Sequence, residues 1–441
     1  MIHLPESVWM DIVAFDANAF IVVPRDHRHD EGLVLRAMKL NGLALQFVPA
    51  RLRAHRTVVL EAVKQSGRAI WYAAFQYRRD REIVGLAART FGHVLARAVH
   101  FRADRDVVLR SVKQTGLALQ YAAPWFRSDR ELVLASVSQS GSALQFASDE
   151  LRADYEVVLT AVTQSGCALQ FADPDLRSIP DLVIQAVEQD GMSVVYAAHA
   201  LMSRLDVVLP AVKQNGYALE FVYWLSDADF ETACFAAVQQ VGLALRHASE
   251  WVAHPGVVLG AVKQNGGALQ FAADTLRSNR EVVTEAVKQD GCSLRFAADE
   301  LRCDRAVVLH AVTQSGQALS YAAAPLRADR AIVLEAMKSD GLALQYVAED
   351  LQADSTVVTE AVKQNGAALQ FAAVELREDR AVALEAVRHR GLSLGLVGDR
   401  LRADLQVVLE AVRQDSRALH YAAPELRADP AVKLAADRGR N

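Results

Sequence analysis

The sequence lacks most of what marks a conventional site. There are only four cysteines in 441 residues: Cys167, Cys234, Cys292 and Cys303. None stands in a CxxC pair or at metal-ligand spacing, which speaks against a thiolate metal site. So few and scattered thiols suit a reducing compartment, so an intracellular and most simply cytoplasmic location is expected. No apolar run approaches the ~20 residues that cross a bilayer. The opening MIHLPESVWMDIVAF has neither the basic leader nor the small-residue cleavage site of a secretory signal. No membrane role is expected.

A surplus of one charge is missing too. Lys and Arg number 48 against 53 Asp and Glu, a formal net charge of −5, which argues against the strongly basic face of a nucleic-acid binder. Aromatic residues make up 7% of the chain while hydrophobic residues make up 52%. The core must therefore be built from Ala, Val and Leu. There is no GxGxxG after a strand, no GxSxG, no P-loop and no HExxH. His27 and His29 in PRDHRHD come nearest to a metal pair, and two exposed ligands make a poor site. The expectation is no catalytic residue, no metal and no cofactor.

What the chain does have is repetition. AVKQNG occurs at residues 211–216, 261–266 and 361–366, and glycines recur at a step of 25 from Gly42 to Gly391, with Ser416 in the next place. One step, from Gly92 to Gly116, is 24, and a 26 followed by a 24 surrounds Gly242. Sixteen units cover the chain from about residue 30 onward. Residues 1–29 are left as an N-terminal cap segment and 30–441 as the repeat array.

Residues 279–302, NREVVTEAVKQDGCSLRFAADELR, show the unit. Asn279 suits a helix N-cap and Gly291 a left-handed position closing the helix. Between them Val282, Val283, Ala286 and Val287 fall on one apolar arc, with Glu281, Glu285 and Lys288 on the opposite stripe. The second half, such as LALQYAAPWFR at 117–127, predicts a helix of about two turns ending near Ala122. A single helical turn carrying Phe126 follows, because proline pushes its predecessor out of the α region yet is welcome in a first turn. Neither piece is stable alone in water, so each must hide its apolar face against the next repeat. The fold class is all-α: an α-solenoid superhelix of about sixteen 25-residue helical repeats. The helical period excludes a β-helix, and the repeat length excludes tetratricopeptide and ankyrin units.

The pattern V-V-L-x-A-V-K-Q-x-G-x-A-L-Q-[FY]-A-A-x-E-L-R-x-D resembles the repeat family known as domain of unknown function 4116, most closely at 104–127, 154–177 and 354–377. The resemblance implies a helical repeat without an assigned activity, and it carries over no catalytic residue. The family includes effector proteins of intracellular bacteria, which implies a host-directed effector as one alternative. Leu4-Pro5 with the following SVWMDIVAF resembles the first helix of an F-box and implies a ubiquitin-ligase adaptor as another. The remaining F-box helices have no room before residue 30, and the plainer reading is a hydrophobic cap over the first repeat.

Laying the copies over one another separates fixed columns from variable ones. A Gln column (Gln114, Gln139, Gln164, Gln189) is expected to form a ladder along the stack, satisfying helix ends or pairing with its own image next door, since polar groups near an interior must be paired. A second column, Gln120, Gln145 and Gln170, is read the same way. The arginine of each ELR (Arg152, Arg177, Arg277, Arg302) is expected to form an Arg–Asp or Arg–carbonyl ladder. Columns such as Leu117, Ser142, Cys167 and Met192, or Arg110, Thr160, Gln185 and His310, vary and are left to face a partner or water. The aromatic column is broken by Arg97 and His247. Around the second break Tyr217, Tyr223, Trp224, Phe230 and Trp251 crowd together in an aromatic-poor chain. Trp and Tyr anchor binding hot spots, so Tyr217, Tyr223, Trp224, His247, Trp251 and Arg97 are the candidate partner-binding residues. The alternative is that large side chains fill the gap left by a slipped repeat. The function expected is a non-enzymatic scaffold, monomeric, binding a protein or peptide on its concave surface.

Overall fold

A computed structural model describes residues 10–11, 13–14 and 16–438. Among these residues every regular segment is an α- or 3₁₀-helix. One repeat shows how the sequence produces the pieces. Asn279 accepts from the backbone N–H groups of Glu281 and Val282 and so starts the helix Arg280–Gln289, which buries Val282, Val283, Ala286 and Val287. That is the expected apolar arc.

The end of this helix differs from expectation. No described glycine has a positive φ, so Gly291 is not a left-handed cap. The chain leaves the helix through Asp290 in extended conformation, with φ −144° and ψ 108°. The Asp290 carboxylate accepts from the backbone N–H of Cys292 at 3.0 Å and opens a 3₁₀ segment, Gly291–Phe296. Glycine is needed for proximity instead of handedness. A Cβ at Gly291 would stand 2.3 Å from the carbonyl oxygen of Ala311 in the next repeat.

The second half also departs from the predicted α-helix. Residues Gly116–Tyr121 form a 3₁₀ segment, followed by a short 3₁₀ turn Pro124–Ser128 in which Phe126 is buried. Three residues per turn puts positions i and i+3 on one side, so Gly116 and Leu119 both face inward. In most later repeats the last piece is a four-residue helix such as Asp299–Arg302. A backbone rung joins it to its neighbour: the Ala298 N–H donates to the Arg277 carbonyl at 2.9 Å and the Ala323 N–H to the Arg302 carbonyl at 3.0 Å.

Two compact units are distinguished, Met1–Ser226 and Asp227–Asn441. In the first, ten-residue helices from Glu31–Leu40 to Leu205–Gln214 stack in chain order, each on the one before and the one after. The second begins with a longer helix, Asp227–Gln240 of 14 residues, and then continues with ten-residue helices from Pro255–Gln264 to Leu405–Gln414. Each unit is an α-solenoid in which helices touch sequential neighbours. Residues 222–226, just before the long helix, lack the usual short segment. The extra helical turn and the missing short segment leave the step into Gly242 one residue long.

At the other end, Ala17–Val22 is a 3₁₀ segment and Arg25–His29 a short helix leading to the N-cap Asp30. Asp16 accepts from the backbone N–H of Asn18, as Asn41 does from Leu43. Residues 16–29 thus have the local plan of a repeat's second half, and Val13, Phe20 and Val23 are buried. The F-box resemblance at residues 4–15 lies largely outside the described residues.

Candidate interaction surface

Two ladders hold the repeats together and consume their fixed polar columns. In the first, the glutamine near the C-terminus of many helices accepts, through Oε1, the backbone N–H of the preceding repeat's glycine. The distances are 2.7 Å for Gly92 and Gln114, 3.0 Å for Gly116 and Gln139, and 2.7 Å for Gly242 and Gln264. Its amide can also donate back, as Gln65 Nε2 does to the Leu40 carbonyl at 3.2 Å. Of the two expected arrangements, these amides take the one that satisfies backbone at the helix ends and do not pair with their own image. At two of the places where Gln is replaced a hydroxyl does the same: Thr90 accepts from Gly67 at 2.9 Å and Ser339 from Gly316 at 3.1 Å. The second Gln column makes no such ladder. Gln120, Gln145 and Gln170 donate to the carbonyl three residues earlier in their own segment.

The second ladder escaped the sequence reading. The first residue of many helices is an arginine that reaches the N-cap aspartate of the next repeat. Arg105 Nε meets Asp129 at 2.9 Å, Arg130 meets Asp154 at 3.1 Å, Arg305 meets Asp329 at 3.0 Å and Arg330 meets Asp354 at 2.9 Å. Its signal was the recurring Asp-Arg dipeptide, in which one residue caps and the next reaches forward. A guanidinium and two backbone donors hold the Asp354 carboxyl below its ordinary value against the opposing effect of burial. The ELR arginines behave otherwise: Arg152, Arg277 and Arg302 pair with the aspartate three residues earlier in their own repeat. Arg302 also donates from Nε to the Tyr321 carbonyl of the next repeat at 2.8 Å.

The aromatic candidates divide between the two units. In the first, Tyr217 is half-buried in the 3₁₀ segment Gly216–Phe221. Tyr223 and Trp224 are exposed, Trp224 by 82%, with Trp224 in the left-handed region at φ 75°. In the second, Trp251 is half-buried with its ring 5.1 Å from that of His254, which meets Phe235 edge-on at 5.8 Å. His254 also caps the helix Pro255–Gln264 by accepting from Val257, and His247 is half-buried at the end of Gly242–His247. Phe230 is half-buried in Asp227–Gln240. Trp251 therefore fills space within its unit, whereas Trp224 does not.

Arg97 stands elsewhere, exposed in the first unit, with its guanidinium 5.2 Å from the Trp71 ring centre. Trp71 occupies the column that is usually Gln and Arg97 the column usually aromatic, and the two side chains stack. At the far end the counterpart is Gly395, where a Cβ would lie 2.9 Å from the Tyr421 ring. Trp71 meets Phe91 edge-on at 6.2 Å and Phe91 meets His93 at 6.0 Å. His93 meets Tyr121 at 6.4 Å, so an aromatic run crosses three repeats.

Among the described residues no three His, Cys, Asp or Glu side chains are grouped to hold a metal, and none of the helices is long and apolar enough to cross a membrane. Burial pushes the Cys234 thiol up to about 12, and the Asp190 carboxylate raises that of Cys167. A groove of about 480 Å³ brings Glu281, Glu285, Lys288 and His310 together. There Lys288 bonds Glu285 at 2.8 Å and keeps its carboxyl low.

Comparison with protein families gives eight matches to one model, described as a domain of unknown function (DUF4116). They lie at residues 30–78, 80–127, 129–177, 180–224, 254–302, 279–327, 329–377 and 379–427. The chain belongs to the DUF4116 family. Each match spans two of the 25-residue units, so a DUF4116 domain is a pair of repeats. The matches leave residues 225–253 uncovered, where the DUF4116 pattern is disturbed by the longer helix. No curated protein matches the chain.

Proposed function

We propose that this DUF4116 array is a non-enzymatic scaffold that binds protein or peptide along the exposed columns of its repeats. The observation that carries the reading is the division of labour within the repeat. Residues that recur are spent on the two ladders and the core, whereas the columns that vary are half-buried to exposed, with Arg110, Thr160, Cys167 and Met192 half-buried. Gln185 and His310 on the helices are exposed, and so is Gln317 after its glycine. Repeat arrays present such columns as extended binding surfaces. The titratable groups add support. The carboxylates displaced from their ordinary range, such as Asp129, Asp304 and Asp404, are lowered through caps and ion pairs. A general acid at neutral pH needs the opposite displacement. The same reading makes the chain a monomer that needs no cofactor.

The test is affinity capture from the native cell with the wild-type chain and a Tyr223→Ala, Trp224→Ala variant, beside variants in the Gln185 and His310 columns. The reading expects a partner lost on substitution in one of these surfaces while helical content and unfolding midpoint stay unchanged. Capture of no partner, or of one indifferent to every exposed column, overturns it.

A further inference from the structure

Four consecutive repeats of the first unit hold no acid beside the arginine that closes each short segment. Four later repeats place an acid three residues before this arginine, and the two pair: Asp149 with Arg152, Asp274 with Arg277, Asp299 with Arg302, and Asp399 with Arg402; others have Pro174, Ala324, Val374 or Pro424 there. At the same column the short segments Ala50–Arg53, Phe75–Arg79, Val99–Phe101 and Pro124–Ser128 carry Ala50, Phe75, Val99 and Pro124. Three of their arginines turn to backbone instead. Arg78 donates to the carbonyls of Trp71 and Ala73, Arg102 to those of Leu95 at 3.1 Å and Ala96 at 2.8 Å, and Arg127 to that of Gln120 at 3.4 Å. A carbonyl fixes the guanidinium but leaves its charge uncompensated.

The imbalance extends over the whole of these half-repeats. Residues 43–54, 67–79, 92–103 and 116–128 hold eight arginines, no lysine and no acid, in a chain whose net charge is −5. Arg51, Arg68, Arg79 and Arg97 are exposed, and none has an ion-pair partner among the described residues. Large apolar side chains stand among them: Phe75, Val99 and Trp125 are 64%, 58% and 63% exposed. By contrast, several lysines of the helix column are paired with a glutamate three residues back, as Lys288 is with Glu285 and Lys338 with Glu335. The positive charge of the first unit is thus concentrated, unneutralised and mixed with apolar surface.

We infer that this face binds an acidic, partly apolar peptide segment of a partner protein. The inference rests on the scaffold reading and names the chemistry of one partner. Carboxylates of the segment pair with the guanidinium groups, whose planar fork suits them. Its apolar side chains cover Phe75, Val99 and Trp125. A peptide fits better than a single-stranded nucleic acid because three of the aromatic rings already carry an arginine. Arg79 lies over Phe75 at 4.7 Å, Arg97 over Trp71 at 5.2 Å and Arg68 over Phe91 at 5.8 Å. A phosphodiester backbone also offers nothing apolar to cover the exposed valine.

The experiment titrates the full chain into a fluorescein-labelled peptide of alternating Glu and Leu, with labelled poly(U) as a second probe. Arg51→Glu, Arg79→Glu and Arg97→Glu are combined in one variant. Lys288→Glu, Lys338→Glu and Lys363→Glu make the same charge change in the second unit. Circular dichroism checks folding, and Gln replaces Glu at the arginines if the reversal unfolds the chain. The expected result is peptide binding by the wild type, weakened about tenfold or more by the arginine variant and within about twofold in the lysine variant. Poly(U) binds more weakly. Absence of peptide binding, equal weakening by both variants, or tighter binding of poly(U) overturns the inference. A captured partner whose binding ignores the arginine variant does so too, while leaving the scaffold reading in place.

Discussion

At Gly141 even a methyl group is too large. A Cβ there would stand 2.3 Å from the Ala161 carbonyl oxygen, and that oxygen is held by its own helix, accepting from Ser165 at 2.9 Å. Gly141→Ala must push two repeats apart and is expected to cost about 1–3 kcal/mol, read from equilibrium denaturation. Unchanged stability would show that the approach is not tight. The glycine column itself was plain in the sequence. Its reason was not, because periodicity reports that a residue recurs and cannot distinguish a left-handed turn from a carbonyl of the next layer. The tryptophans divide in the same way. Trp251→Ala empties the packing around His254 and should cost about 2 kcal/mol. Trp224→Gly removes an exposed ring from a left-handed backbone and should stabilise by about 1 kcal/mol. Paired unfolding curves check both, and destabilisation by Trp224→Gly would contradict the assignment.

The helix N-terminus is the element where sequence and structure agree best and where the largest omission lies. The Asp and Asn caps were legible because a short polar side chain before an apolar run has one common use. The arginine after the cap was passed over, since a cation at a helix start is unfavourable by itself. Its purpose appears only when the next repeat is in place and its aspartate lies 24 residues on. Against the opposing effect of burial, Arg105, Arg305 and Arg330 with the cap N–H groups hold the carboxyls of Asp129, Asp329 and Asp354 below their ordinary value, and at Asp154 the Val157 N–H contributes first and Arg130 after it. A lowered folded-state pKa means that the unfolded chain binds protons first. This contribution is complete above the unfolded carboxylate pKa and is lost as pH falls through the folded values. Stability should therefore decline below about pH 4, where unfolded aspartates protonate. Asp129→Asn, which keeps an acceptor for the cap, should cost no more than about 1 kcal/mol near neutral pH and should flatten the acid limb. A pH profile identical to wild type would remove the ladder from the account.

For the molecule as a whole, the 25-residue step sufficed to identify an α-solenoid, because a unit too short to fold alone has few other ways to bury its apolar face. The nature of the second half was less legible. Six residues are too few for helical periodicity to separate α from 3₁₀, and the inward-facing Gly116 and Leu119 fit both. The candidate surface was legible only in part: Arg97 stood out as an exception in its column, but its pairing with Trp71 needed the neighbouring repeat. The arginine-rich face escaped a count of total charge, which averages a basic quarter against an acidic remainder. All these features depend on repeats being stabilised by their neighbours. The most direct test is equilibrium unfolding of a nested series of repeat deletions taken from the C-terminal side, together with the isolated 279–303 repeat. The account predicts that the lone repeat is unfolded and that stability rises by similar increments as repeats are added. A lone repeat that folds, or a series whose stability does not depend on repeat number, would contradict it.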